Sequence, residues 1–116
     1  MISIRERQEK MKYNIYAGMG GGFGGAHFLE TADFPTWDDA DEYAYDHAWE
    51  EYESYAGYHG ILSWDEVYDE LKEAGEFYGM TANEIEDFVN DHYQEEVESW
   101  IEWHAEPYVN GIDPEY

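Results

Sequence analysis

Lys12-Tyr-Asn-Ile-Tyr-Ala-Gly-Met-Gly-Gly-Gly-Phe-Gly-Gly-Ala-His-Phe-Leu-Glu-Thr31 is the stretch from which the fold is read. Lys12 to Ala17 is short and rich in aromatic and β-branched residues, as a strand requires, and His27 to Thr31 has the same character. Gly18 to Gly25 lies between them and is mostly glycine, so the pair predicts an antiparallel hairpin with a glycine-rich loop. Three helix starts follow: Thr36-Trp-Asp-Asp39, Ser63-Trp-Asp-Glu66 and Thr81-Ala-Asn-Glu84. Each sets a capping hydroxyl three residues before a carboxylate, which satisfies orphan backbone donors and puts negative charge at the positive end of the helix dipole. Gly57, Gly75 and Pro107 stand where the three helices are expected to stop.

At 100° per residue the first helix gathers Trp37, Ala40, Ala44, Ala48, Tyr52 and Tyr55 on one face. The second gathers Trp64, Val67, Tyr68, Leu71 and Ala74, and the third Ile85, Phe88, Val89, His92, Tyr93, Val97 and Trp100. The expected fold class is therefore α+β, a short antiparallel hairpin packed against three amphipathic helices. Residues 12–116 read as a single acidic domain, and the polar, mixed-charge residues 1–11 as a flexible N-terminal arm.

The chain has 116 residues, a formal net charge of −24 and 19% aromatic residues, the last far above what a disordered acidic tail carries. Glu6 and Glu9 are the only acids before Tyr13, so 27 of the 29 acids share the rest of the chain with one base, Lys72. Such a surface repels nucleic acid and anionic membranes and attracts basic proteins. There is no cysteine, which removes disulfide and thiolate chemistry, and no signal-peptide or membrane-span pattern, so the expected compartment is the cytoplasm. Monomer and dimer both remain open.

Opposite the apolar faces the acids fall into register. Asp38, Glu42, Asp46 and Glu50 repeat at i,i+4 on the first helix, and Glu84, Asp87, Asp91, Glu95, Glu98 and Glu102 line up on the expected third. The second adds Asp65, Asp69, Glu73 and Glu76. Solvated helix faces and salt-adapted surfaces are the plain explanations for acidity. Yet ordinary exposed faces mix Glu with Lys, since like charges at i,i+4 destabilise by about 0.2–0.5 kcal/mol per pair and opposite charges stabilise by a similar amount. Carboxylates about 6 Å apart along a helix resemble a run of phosphates. The ten stripe residues are thus the expected partner-binding set, their target the arginines and lysines of a nucleic-acid-binding protein. Tyr45 and Trp49, next to the first stripe, are read either as exposed rings for arginine stacking or as a second packing face.

Other constellations carry less. Gly20-Gly-Gly-Phe-Gly-Gly25 matches the dinucleotide fingerprint but leads into a strand, not a helix. His27, His47, His59, His92 and His104 show no metal-ligand spacing, and Asn110-Gly-Ile-Asp113-Pro-Glu115 is only a fragment of a calcium loop. His92 and His104 are expected on or beside the third helix's apolar face. Glu96 is the one acid expected to project into that face. No catalytic residue, metal or cofactor is expected, and the chain reads as a non-enzyme.

The block Met11-Lys-Tyr-Asn-Ile-Tyr-Ala-Gly-Met-Gly-Gly-Gly-Phe-Gly-Gly-Ala26, with Tyr52-Glu-Ser-Tyr-Ala-Gly-Tyr-His-Gly-Ile-Leu-Ser-Trp64, resembles small acidic proteins of phages and mobile elements, among them anti-CRISPRs that inhibit the type II effector nuclease. The resemblance implies a DNA mimic acting in a bacterial host cell, bound in the arginine-lined groove where the nuclease reads its protospacer-adjacent motif. In acidity and size the chain also resembles antirestriction DNA mimics. An acidic adaptor or chaperone of a basic partner is the alternative from another class.

Overall fold

The computed structural model describes residues 11–58 and 60–109; the arm before Met11, His59 and the calcium-loop fragment lie outside them. The order is β1 (Met11–Met19), β2 (Gly25–Phe34), α1 (Trp37–Tyr55), α2 (Trp64–Glu73), α3 (Ala82–Trp100) and β3 (Ile101–Pro107), with a 3-10 turn at Gly21–Phe23 inside the glycine loop. The α+β class and the hairpin stand as expected, but the sheet has three antiparallel strands in the order β2-β1-β3.

β1 is central, so its residues pair on both sides, from Tyr13 opposite Ala32 and Pro107 to Met19 opposite Gly25 and Ile101. Leu29 is the extra residue of a bulge where the register shifts between Ile15 and Tyr16. Tyr13, Ile15, Ala17 and Met19 alternate onto the helix-covered face and are buried. On the other face Tyr16 stacks on His104 at 4.3 Å and meets Phe28 edge-on, and Asn14 accepts a 2.7 Å hydrogen bond from Thr31.

Each helix begins at its sequence-level cap. Ser63 with Glu66 and Thr81 with Glu84 form reciprocal capping boxes, whereas the Thr36 hydroxyl accepts from the Asp39 N–H and itself donates to the Asp39 carboxylate. α1 lays Ala40, Ala44, Ala48 and Tyr52, all fully buried, against β1 and β3. Alanine is the smallest side chain that still favours a helix, so α1 sits close to the sheet. Trp37 and Tyr55, expected on the same face, are 51% and 39% exposed and pack at its ends, Trp37 beside Tyr13 and Tyr55 against Phe23. The larger core cluster joins Met19, Tyr52, Ile61, Val67, Val89, Tyr93, Val97 and Ile101, and the smaller one Tyr13, Ile15, Ala40, Ala44 and Ala105.

The third helix corrects the sequence reading. It ends at Trp100, not near Pro107, because Ile101 turns to extended backbone (φ −85°, ψ 152°) and the chain enters β3. Ile101, Trp103 and Ala105 then face the core while Glu102, His104 and Glu106 face out, a period of two. His104 accordingly lies on a strand. α1 also caps the outer edge of β3 at one residue: Asp41 accepts from the Ala105 N–H at 3.1 Å, and the Trp37 indole donates to the Ala105 carbonyl at 2.7 Å. At Ala105 the edge's backbone groups are thus occupied by side chains and are not open to another strand.

Replacing Ala44 by Leu is expected to overpack the helix–sheet contact and lower stability by about 1–3 kcal/mol in urea denaturation, whereas Ala74→Leu, at an exposed position, leaves the midpoint nearly unchanged.

Candidate interaction surface

Asp38, Glu42, Asp46 and Glu50 project from α1 into solvent on the side opposite its alanine face. The amphipathic period demands this: with alanines seated on the sheet at i,i+4, acids offset by two residues must point away. On α3, Glu84, Asp87, Asp91, Glu95 and Glu98 are likewise exposed, opposite buried Val89, Tyr93 and Val97. The tenth expected member, Glu102, is not part of that row. It is exposed on β3, and its carboxylate turns to the glycine loop, where Oε1 accepts from the Ala26 N–H at 3.2 Å.

Little positive charge opposes these rows. Among the described residues Lys12 pairs with Asp33 at 3.5 Å on the hairpin, and the His47 Nδ1 stands 3.6 Å from Glu50. The supports of the acids are neutral instead. The Tyr45 phenol donates to Glu98 at 2.6 Å, Gln94 donates to the same oxygen at 3.2 Å, and Tyr43 donates to Glu30 at 2.6 Å. A phenol is a neutral donor, so it orients the Glu98 carboxylate without adding a positive charge beside it.

Tyr45 and Trp49 are half-buried, which settles their two readings in favour of packing. Tyr45 meets Trp103 edge-on at 4.8 Å and Trp49 meets Tyr93 at 5.6 Å, tying α1 to β3 and α3. The Trp49 indole N–H is buried without a hydrogen bond of proper geometry, although it lies near enough to the Tyr45 oxygen to favour its ionised form slightly. Glu96 is half-buried and accepts from the Trp100 indole at 3.2 Å, and the His92 ring bonds to the Phe88 carbonyl at 3.1 Å. No three described His, Asp or Glu side chains converge in a way that could hold a metal ion, and no described helix is long and apolar enough to cross a membrane.

Four tyrosines resist ionisation. Burial, then the bond to Glu98, raises Tyr45; the bond to Glu30, then burial, raises Tyr43; burial raises Tyr52 and Tyr93. Glu84 is lowered by the Thr81 backbone N–H it accepts from. The Tyr45 and Glu98 supports were not legible in the sequence, because nothing local brings residues 45 and 98 together.

No family model matches this chain, and neither a curated protein nor a solved structure matches it at a significant level.

Since the folded values of these tyrosines lie above their ordinary 10.0, the stability they contribute is complete below pH 10 and is lost as pH rises through the folded values. Absorbance titration of phenolate is expected to show native tyrosines ionising at higher pH than in the guanidinium-unfolded chain, with unfolding following above pH 10. Raising NaCl from about 0.05 to about 0.5 M is expected to raise Tm, because screening weakens repulsion among the carboxylates.

Proposed function

We propose that this protein is a DNA mimic that binds the basic groove of a nucleic-acid-binding enzyme and keeps DNA out of it. The observation that carries the reading is the pair of outward carboxylate rows on α1 and α3, on helices that contain no lysine or arginine. From Glu84 to Glu98 the α3 row spans about 21 Å with neighbouring charges roughly 5 Å apart, wider than the about 3.4 Å of a single DNA strand but of the same order. The α1 row has a similar density. Arginines and lysines placed for a phosphate backbone would find carboxylate acceptors at comparable intervals.

The target class is a guide-loaded CRISPR effector nuclease at its motif-reading groove, and a restriction enzyme is the other host enzyme with a suitable basic cleft. Both would be met in the cytoplasm of a bacterial host. The mimic would not be cut, since it offers no phosphodiester bond. Its association would be fast and would weaken with salt, because long-range attraction steers the encounter. The neutral Tyr45 clamp supports the reading, since it holds the Glu98 carboxylate in place without a cation beside it.

In a gel-shift and cleavage assay with guide-loaded type II nuclease, the protein is expected to prevent DNA binding when added before the DNA and to act poorly when added after it. Asp87→Lys, Asp91→Lys and Glu95→Lys combined are expected to abolish inhibition while circular dichroism stays that of the folded protein. Inhibition independent of the order of addition, or untouched by the triple reversal, would count against competition through α3.

A further inference from the structure

The glycine loop and the first residues of β3 flank the exposed acid that lies outside both rows. Two hollows meet at Glu102, one of about 480 Å³ lined by Gly24, Gly25, Ala26, Glu102, Trp103 and His104, the other of about 350 Å³ lined by Gly20, Gly21, Ser99, Trp100, Ile101 and Glu102. Glu102 is common to both. A Cβ on Gly20 would stand 2.9 Å from its Oε2, and one on Gly25, at φ +80°, 2.8 Å from its Oε1. Glycine at these positions is therefore what allows the carboxylate to lie against the loop. The Ala26 N–H anchors one oxygen, and among the described residues no cation pairs with the other.

We propose that this corner receives a single arginine side chain from a basic partner protein, an assignment that rests on the partner being basic, as the DNA-mimic reading also requires. The lining selects the ligand. An anion is repelled by Glu102, and a divalent cation needs several oxygen ligands where the corner supplies one carboxylate. A guanidinium fits better: its planar fork pairs with a carboxylate, and its flat face stacks on an aromatic ring. Trp100 supplies such a ring, lining the smaller hollow with its Cζ3 3.3 Å from where a Gly21 Cβ would stand. A lysine ammonium could use the charge but not the plane. The site thus reads one side chain, whereas the helical rows act on a field of charges.

The test uses N-acetyl-arginine amide, with N-acetyl-lysine amide as comparison, titrated into the intact ¹⁵N-labelled protein. Saturable shifts are expected at the amides of Gly20 to Ala26, at Glu102 and at the Trp100 indole, with tighter binding of the arginine derivative. Glu102→Gln, which keeps an acceptor for Ala26, is expected to weaken binding by about tenfold or more, and Glu70→Gln, the same charge change at an exposed position of α2 outside both rows, to leave it unchanged. Shifts spread over α1 and α3, equal binding of the two amino-acid derivatives, or equal affinity of Glu102→Gln would overturn the site. No nuclease enters this titration, so an arginine site in a protein that fails to compete with DNA would sink the mimic reading and leave this one standing.

Discussion

The seating of the α1 alanine face on β1 and β3 is the contact on which the rest depends. Ala40, Ala44 and Ala48 have no accessible surface, and across from them Ile15 has none either. Their small size brings the helix near enough for Asp41 and Trp37 to fill the polar edge of β3 at Ala105. The same orientation sends Asp38, Glu42, Asp46 and Glu50 outward. Packing and display are two consequences of one helical period.

A surface this acidic raises a stability problem, because the carboxylates repel one another. The protein meets it without introducing many cations. Capping boxes place Glu66 and Glu84 against backbone donors at positive helix ends, and tyrosine phenols hold Glu30 and Glu98. These are hydrogen bonds to anions, which are stronger than those between neutral groups. Aromatic side chains then contribute much of the interior: Tyr52 is fully buried, with its hydroxyl bonded to the Leu62 carbonyl, and Trp49, Tyr52 and Tyr93 pack edge to face. The abundance of tyrosine and tryptophan in the sequence is thus largely a matter of core construction, and the abundance of acids a matter of surface.

The glycine loop ties these two parts together. Its Gly20 N–H bonds to the Trp100 carbonyl at 2.7 Å, at the residue where α3 ends and β3 begins. Phe23, inside the loop, packs between Tyr55 at the end of α1 and Trp100 at the end of α3. The fingerprint-like glycines serve close backbone approach here. The helix–strand junction they contact is what separates Glu102 from the α3 row.

By itself the sequence determined the features that are written within a few residues: the hairpin, the three helix starts, the alanine face and the outward registration of nine of the ten expected acids. Each follows from local hydrogen bonding or from a helical period that does not depend on distant residues. Only the tertiary structure decided that α3 stops at Trp100. No glycine or proline separates Trp100 from Ile101, and Ile101 and Glu102 suit a continued helix as well as a strand. The alternation of Ile101, Trp103 and Ala105 was present as a signal, but its outcome was set by the open second edge of β1, whose backbone groups needed a partner. Tertiary structure likewise decided that Tyr45 and Trp49 are packed and that Tyr45 holds Glu98, because a contact between residues so far apart in the chain exists only once α1 and α3 have been brought together.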